Sequence, residues 1–493
     1  MKEYVAEAID KVKKVSLHPA KFGLDLGDGS ERGEYVNQDY ILHKLGRPHR
    51  YISLMYTYYP NDEQWPQRIS EACKDMEIHF QWDYPYDDYF PYGGGIGGDL
   101  THEPFNQMRD IRRHGQDVAL TLTIDCGVSD EHLIQIAKEL STFGRMRLRI
   151  NHECTGTWFT HNRRYSIEEI STFFVRFSKI LKKEAPNVAT ILCAGLIKED
   201  GTVEYEKEML KAYKAADIWS ADSYPALHYG WPFDVCEKGC NSYATRSVEE
   251  FYTKYEATAK RLREVTGQEK PLVASEFNID GDVTGPKAQG EALKALCAMI
   301  KSKKPDWFGS FSMYQFRDRG RLGLEIQDPN YADCGIEQPI LRDYKEIMDQ
   351  KYFKPEIKND GKAVFPAELR WGGSEDADGI ALTVTLEKEP VFFELEVEED
   401  LALMIEVNGK WFYKAPSTKI VDLMSAFMDV DAKEVKPGQK VEVRIFATPK
   451  DGENPQTDAE DWATNYRLVM NESPKLRVRY APVALVKKDK VVE

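Results

Sequence analysis

The sequence of 493 residues contains no long apolar run. A membrane-spanning helix needs about 20 consecutive apolar residues, and no stretch of this chain reaches that length. The start of the chain also lacks the apolar core of about 7–15 residues that a secretory signal has. We therefore expect no membrane partner. A native Met1 implies a cytoplasmic protein, whereas a signal peptide removed ahead of it would imply a secreted one.

Residues that bind metals are few and scattered. The chain has 8 cysteines and 10 histidines, and Cys236 and Cys240 are the only close cysteine pair. A structural zinc site usually takes two such pairs, and the histidines form neither an HxH nor an HExxH spacing. The sequence therefore predicts no metal site and no cofactor.

Basic residues are fewer than acidic residues in this sequence. Lys and Arg total 66 against 82 Asp and Glu, which gives a formal net charge of −16. An acidic surface repels polyphosphates, so nucleic acid is not an expected partner. Hydrophobic residues make up 42% of the chain and aromatic residues 12%, which is enough for sizeable cores. These numbers predict a folded protein of several domains and leave its oligomeric state open.

Between Arg50 and about Gln350, short apolar segments alternate with amphipathic ones. The apolar segments predict eight strands, at Tyr51–Tyr56, Ile78–Trp82, Val118–Ile124, Arg147–Asn151, Ala189–Cys193, Ile218–Asp222, Leu272–Glu276 and Gly309–Tyr314. The amphipathic segments predict helices at 63–75, 104–114, 130–143, 166–184, 205–215, 247–266, 287–303 and 338–350. Eight such units are typical of the α/β class and of a (β/α)8 TIM barrel; a doubly wound sheet is the alternative. A ninth run, Phe22–Leu26, is either an N-terminal addition or the first barrel strand, with one of the eight misassigned.

The pattern changes after Lys354. Residues 355–493 consist of short alternating runs separated by turn signals such as Asn408-Gly409, which is typical of an all-β sandwich. We therefore expect a catalytic barrel with an N-terminal extension in residues 1–354 and an ancillary β-sandwich in residues 355–493. Trp371, Trp411 and Tyr413 in the second domain are candidates either for sugar contact or for packing against the barrel.

Two carboxylates directly follow apolar strands of the predicted barrel. Glu153 comes after the fourth strand and Glu276 ends the seventh. Reactive groups of such barrels lie at the C-terminal ends of the strands, so both side chains are expected at the mouth. A pair of carboxylates facing one pocket suits glycoside hydrolysis, in which one is a general acid and the other stays ionised. The alternative for each is a structural ion pair.

The segments around these carboxylates resemble a known family. Arg149-Ile150-Asn151-His152-Glu153-Cys154-Thr155-Gly156-Thr157-Trp158-Phe159 resembles the fourth-strand motif of family 26 glycoside hydrolases, the β-mannanase-like members of clan A. Lys270–Phe277 resembles the seventh-strand nucleophile segment of that clan, and Asp217–Tyr224 its sixth-strand segment. The resemblance covers roughly residues 45–350. It implies Glu153 as acid/base, Glu276 as nucleophile and retention through a glycosyl-enzyme.

Several neighbours are candidates for binding the substrate or orienting a carboxylate. Arg149 can keep Glu276 in its anionic form by charge attraction, and Tyr224 can donate a hydrogen bond to Glu276. His152 can bind sugar or orient a carboxylate. The aromatic candidates for the cleft are Trp82, Trp158, Trp231 and Tyr314. For each residue, ordinary packing or a structural ion pair is the alternative.

The sequence therefore predicts a retaining β-glycoside hydrolase that acts on a plant-type polysaccharide or its oligosaccharides. β-Mannan, β-xylan and β-glucan all remain open as substrates, and endo and exo action are both open. A catalytically inactive carbohydrate-binding barrel protein is the alternative.

Overall fold

The computed structural model describes residues 5–7, 9–27, 35–62, 64, 90–156, 159–228, 243–318, 320–331, 333–428, 432, 434–454 and 464–482. Its strands are β1 (Val5–Glu7), β2 (Lys11–His18), β3 (Gly23–Gly27), β4 (Tyr51–Tyr58), β5 (Phe90–Pro91), β6 (Asp117–Ile124), β7 (Met146–Ile150), β8 (Val188–Cys193), β9 (Ile218–Ser220), β10 (Ala226–His228), β11 (Tyr243–Thr245), β12 (Leu272–Phe277), β13 (Phe308–Met313), β14 (Arg317–Asp318), β15 (Glu325–Gln327), β16 (Gly335–Glu337), β17 (Glu356–Lys362), β18 (Ala367–Trp371), β19 (Ala377–Leu386), β20 (Pro390–Glu396), β21 (Leu403–Val407), β22 (Lys410–Lys414), β23 (Ile420–Asp422), β24 (Gln439–Ala447), β25 (Tyr466–Met470) and β26 (Lys475–Tyr480).

The helices follow barrel strands in the chain, except for the last one, which lies among the C-terminal strands. They are α1 (Gln38–Leu45), α2 (Phe105–Arg113), α3 (Asp130–Leu140), α4 (Thr160–Arg163), α5 (Ile167–Glu184), α6 (Glu206–Ala215), α7 (Val248–Thr266), α8 (Gly281–Thr284), α9 (Pro286–Lys303), α10 (Pro339–Met348) and α11 (Ser425–Met428). Ser166 and Ser247 begin α5 and α7 with capping boxes, in which each serine and the glutamate three residues later bond each other's backbone N–H. No helix in the described part of the chain is both long and apolar enough to cross a membrane.

Eight parallel strands of the described residues close into a barrel. Around the ring they run β3, β4, β6, β7, β8, β9, β12 and β13, and β13 pairs with β3 to close it. The predicted (β/α)8 fold class is confirmed. Phe22–Leu26 corresponds to the first barrel strand, β3, so the second predicted strand is not needed for closure. Ile78–Trp82 itself lies outside the described residues, as does the predicted helix 63–75 except for Gln64.

The second domain is a sandwich of antiparallel strands. One sheet has the order β17-β2-β19-β24-β21-β22, with β18 paired to β19 and β25 paired to β18, and the other has the order β1-β26-β20-β23. Leu382 and Val443 from the first sheet and Phe393 and Val478 from the second are buried in one hydrophobic core. The alternating patterns of the sequence explain this burial, because residues two apart on a strand face the same side.

The N-terminal strands belong to this β-domain. β2 pairs with β17 and β19, and β1 pairs with β26. The expected N-terminal extension of the barrel therefore supplies strands to sheets built mostly from the other end of the chain. The division of the chain at residue 354 stays a prediction.

The β-domain packs directly against the barrel. Trp371 is buried under the guanidinium of Arg112, 4.0 Å from its ring centroid, and the buried Trp411 donates its backbone N–H to the carbonyl of Gly46. Thr448 Oγ1 donates to the carbonyl of Arg112 at 2.9 Å. Of the two roles considered for Trp371 and Trp411, these contacts correspond to packing.

His114 lies at the end of α2, where the barrel contacts the β-domain. Its Nε2 is 2.8 Å from Asp39 Oδ1, its Nδ1 is 3.3 Å from Asp110 Oδ1, and its ring centroid is 4.4 Å from that of Tyr413. Burial lowers the pKa of His114, but hydrogen bonds and charge from Asp110 and Asp39 outweigh burial and raise the pKa to about 9. The folded protein therefore favours the imidazolium form.

We expect His114→Gln to destabilise the protein at pH 6 by on the order of 2 kcal/mol. The folded-state pKa lies above the unfolded value of 6.5, so the contribution is complete below pH 6.5 and is lost as the pH rises through about 9. Urea unfolding of both proteins at pH 6 and pH 10 measures this difference. A difference of equal size at the two pH values would contradict the charged form of His114.

Candidate active site

The turn that carries Glu153 is held by side-chain hydrogen bonds to the backbone. Asn151 Oδ1 accepts from the backbone N–H of Ile124, at the end of the neighbouring strand β6, at 2.9 Å. Asn162 Nδ2 donates to the carbonyl of Glu153 at 2.7 Å and to that of Gly156 at 2.8 Å. These bonds tie the turn to the barrel and to α4, so the backbone that presents Glu153 is well supported.

Two residues of this turn have a left-handed backbone. The φ angle is +58° at Asn151 and +38° at Glu153. Residues other than glycine rarely adopt positive φ, and such conformations concentrate at functional sites where the surroundings hold them in place. The signal for this geometry in the sequence is weak, because only asparagine among the two is enriched in left-handed turns.

Glu276 lies in β12 among hydrogen-bond donors. Arg149 Nη2 donates to its Oε1 at 2.7 Å, and the phenol of Tyr224 donates to its Oε2 at 3.1 Å. His152 Nδ1 lies 3.4 Å from Oε1. The end of β7 and the segment after β9 therefore both supply partners to a carboxylate of β12, as neighbouring strand ends of a barrel can.

Arg149 connects three barrel strands. Its Nε donates to Thr121 Oγ1 at 2.6 Å, and its Nη1 donates to Asp222 Oδ2 at 2.5 Å. Burial opposes the charge of Arg149, but Asp222 and Glu276 outweigh burial and raise its pKa well above the ordinary value. The guanidinium is thus a fixed positive charge between two carboxylates.

Asp222 belongs to the candidate site, although the sequence analysis assigns no role to it. Its carboxylate is fully buried, and its Oδ1 accepts the backbone N–H of Glu276 at 3.0 Å. Burial, followed by the negative charge of Glu276, raises the pKa of Asp222, while Arg149 opposes that rise. The available signal was its position, since Asp222 follows the same strand as Tyr224 and is two residues before it.

His152 contacts one candidate carboxylate and lies near the other. Its ring contacts Glu276, and one of its nitrogens lies within 4.8 Å of a carboxylate oxygen of Glu153. Burial, followed by the positive charges of Arg149 and His161, lowers the pKa of His152 well below its ordinary value. The ring is therefore neutral at pH 7, and its edge-to-face contact with Phe159, with centroids 4.8 Å apart, fixes its plane.

Tyr314 is placed beside these residues at the end of β13. Its buried ring is edge-to-face with that of Tyr224, with centroids 6.1 Å apart. Tyr314, Arg149 and Glu276 also line an interior cavity of the barrel. The structure thus brings together Arg149, His152, Glu153, Tyr224, Glu276 and Tyr314, whereas Trp82, Trp158 and Trp231 lie outside the described residues.

Two groups of side chains in the described residues have spacing that a metal ion could bridge. The first is His152, Glu153 and Asp222, where the guanidinium of Arg149 supplies a positive charge that opposes a cation. The second is His228, Asp280 and Asp282. There, Asp280 accepts from the backbone N–H groups of His228 and Asp282, at 3.0 and 2.8 Å, as the N-cap of α8. Local hydrogen bonds therefore account for the second group.

Comparison with known proteins gives similarity in structure only. No family model and no curated protein matches the sequence. Similar solved structures include an α-L-arabinofuranosidase from Thermotoga maritima, with 11% identity, coverage of 97% of this chain and 99% of that chain, and a TM-score of 0.42. A GH53 catalytic domain from Ignisphaera aggregans has 12% identity, coverage of 69% and 99%, and a TM-score of 0.40.

A GH26 β-mannanase from Bacteroides ovatus is also similar, with 13% identity, coverage of 68% of this chain and 90% of that chain, and a TM-score of 0.40. These likenesses concern the fold alone, so the function of this chain follows from the side chains of its site.

We expect Tyr224→Phe to lower kcat on glycosides about tenfold, because it removes one hydrogen bond to Glu276 without changing the shape of the side chain. Initial rates on an aryl β-glycoside, together with circular dichroism of the variant, measure this effect. Tyr92→Phe is the matched control, since the Tyr92 phenol donates to the carboxylate of Glu139 at 2.8 Å in a part of the barrel outside this site. Equal kcat values for Tyr224→Phe and the wild type would remove Tyr224 from the site.

Proposed function

We propose that the protein is a retaining β-glycoside hydrolase that acts on a polysaccharide or its oligosaccharides. The observation that carries the proposal is the surroundings of Glu276, a carboxylate at the mouth end of β12 that accepts from Arg149 and Tyr224 and contacts His152. Two donors on one carboxylate aim it and stabilise negative charge at the oxygens. A second carboxylate, Glu153, follows β7 near the same histidine.

The proposed reaction has two displacements. Glu276 attacks the anomeric carbon, and the glycosidic C–O bond breaks as Glu153 donates a proton to the leaving oxygen. Glu153 then removes a proton from water, which attacks the glycosyl-enzyme and releases Glu276. The product retains the β configuration because each displacement inverts the anomeric carbon once.

Hydrolysis of a panel of glycans tests the proposal. The panel contains β-mannan, β-1,3- and β-1,4-xylan, mixed-linkage β-glucan and galactan with their oligosaccharides, and Glu276→Ala serves as the blank. We expect cleavage of at least one β-linked glycan, with the β anomer formed first in proton NMR spectra. Initial formation of the α anomer would contradict retention. Binding of a glycan without cleavage would favour a catalytically inactive carbohydrate-binding barrel.

A further inference from the structure

Exposed aromatic side chains of the described residues occur at one end of the barrel. Among the described residues, those exposed over more than a third of their surface are Phe90, Tyr205, Tyr243 and Tyr331, at 38%, 38%, 60% and 69%. Each lies in a segment that joins a barrel strand to the helix after it. In a parallel barrel, all such segments are on the face where the strands end, which is the face that carries Glu153 and Glu276.

The described part of the β-domain exposes no aromatic side chain to this extent. Its large exposed apolar side chains, within the described residues, are the aliphatic Val364, Ile420, Met428 and Val469. Scattered exposed apolar residues are normal on a protein surface. Within the described residues, the exposed aromatic rings are restricted to the face of the candidate site, which is more specific and indicates a ligand with flat apolar faces.

The order of strands in the ring divides these four residues into two pairs. Glu153 follows β7 and Glu276 lies in β12, and these strands split the ring into two arcs. Tyr205 follows β8 and Tyr243 follows β9, on one arc. Tyr331 follows β13 and Phe90 follows β4, on the other arc. A linear ligand that passes between the two carboxylates therefore extends towards a pair of exposed aromatic residues in each direction.

Tyr205 shows a second unusual feature. Its φ angle is +46°, and it is the residue that begins α6. A bulky residue in the left-handed region is an outlier, and such conformations concentrate at binding and catalytic sites. The exposed ring of Tyr205 is thus presented on a backbone that a tyrosine does not adopt by preference.

Acidic residues flank two of these rings. Tyr205 lies between Glu204 and Glu206, and Tyr331 lies in the sequence between Asp328 and Asp333. Arg261 Nη2 lies 2.7 Å from Glu206 and balances its charge. The other three carboxylates repel an anionic polymer, and they can accept hydrogen bonds from hydroxyl groups. The charge of these segments therefore favours a neutral glycan over one rich in uronic acids.

We propose that the substrate is a neutral β-linked glycan chain that lies across the mouth of the barrel and is cleaved internally. Tyr205 and Tyr243 contact sugar units on one side of the scissile bond, and Tyr331 and Phe90 contact units on the other side. Sugar rings present C–H groups that pack on aromatic faces. This inference rests on the proposed glycosidase function. It adds the length and charge of the substrate and the position at which the substrate is cleaved.

The test compares Tyr243→Ala and Tyr331→Ala with the wild type on the glycan that the panel identifies and on reducing-end-labelled oligosaccharides of four to eight units. We expect each variant to lose about tenfold in kcat/KM on the polymer, mainly through KM, and to lose less as the substrate shortens. The cleavage position should shift in opposite directions for the two variants, because they weaken opposite sides. Phenylalanine at either position should restore most of the lost activity.

Val364→Ala and Met428→Ala are the matched controls, since they remove exposed apolar side chains from the β-domain, and both should keep wild-type turnover on the polymer. Wild-type turnover and cleavage positions for both tyrosine variants would overturn the inference. Preferential cleavage of β-1,4-linked polymannuronate would contradict a neutral substrate, and release of single units from one chain end would contradict internal cleavage. In each case, measurable hydrolysis leaves the proposed glycosidase function in place, whereas no hydrolysis by the wild type removes that function itself.

Discussion

Glu276→Gln is expected to lower kcat/KM on glycosides by about 10³-fold or more. The amide keeps the shape of the side chain and can still accept from Tyr224, but it lacks the charge that attacks the anomeric carbon. Arg149 retains Asp222 as a partner at 2.5 Å, so the guanidinium is not left without a carboxylate. Initial rates on the glycan identified by the panel, and on an aryl β-glycoside, measure the loss.

The matched control for this change is Glu325→Gln. Glu325 is a fully buried carboxylate that, like Glu276, accepts from an arginine, with Arg317 Nη2 at 3.1 Å, and it lies in β15 and takes no part in the hydrogen bonds around Glu276. The control should keep its turnover if it folds, and thermal melts of both variants report on folding. Wild-type turnover in a folded Glu276→Gln protein would rule out Glu276 as the nucleophile.

Glu153→Ala is expected to have an effect that depends on the leaving group. Substrates with poor leaving groups need protonation of the departing oxygen and should lose about 10²- to 10⁴-fold in kcat/KM. Aryl glycosides with acidic phenols need little protonation, so their first step should lose much less. The second step has lost its general base, and the glycosyl-enzyme should therefore accumulate and give a burst of phenol.

Azide provides the second measurement on this variant. The anion is small and needs no general base, so it should attack the glycosyl-enzyme and raise the turnover of Glu153→Ala on aryl glycosides. The expected product is a β-glycosyl azide, which chromatography can identify. Equal losses on good and poor leaving groups, without any rescue by azide, would assign the proton transfer to another residue.

The order of the barrel elements follows largely from local pattern. Seven of the predicted strands correspond to barrel strands, and the apolar runs at 118–124 and 272–276 lie in β6 and β12, because strands buried in a parallel barrel are apolar over their whole length. Phe22–Leu26 was recognised as a strand, but its place as the first member of the ring depends on its pairing with β13. That pairing joins residues almost 290 positions apart by sequence numbering and leaves no local signal.

In the candidate site too, some features follow from local sequence and others only from the fold. Glu153 and Glu276 were identified because each comes at the end of an apolar run, which is a property of neighbouring residues in the chain. Asp222 also follows such a run, yet its role is visible only when Arg149 and the backbone of Glu276 are placed against it. Hydrogen bonds between strand ends depend on the closure of the ring, which no short segment encodes.

By itself the sequence determined the (β/α)8 class, the all-β character of the C-terminal segment and two carboxylates at the ends of the fourth and seventh strands. These depend on periodicity and on position within short segments, which local physics controls. The tertiary structure alone decided that β1 and β2 join the β-domain, that Arg149 lies between Asp222 and Glu276, and that the exposed aromatic residues fall on two arcs around the mouth. Each of these joins residues far apart in the chain, and only the packing of the whole fold brings such residues together.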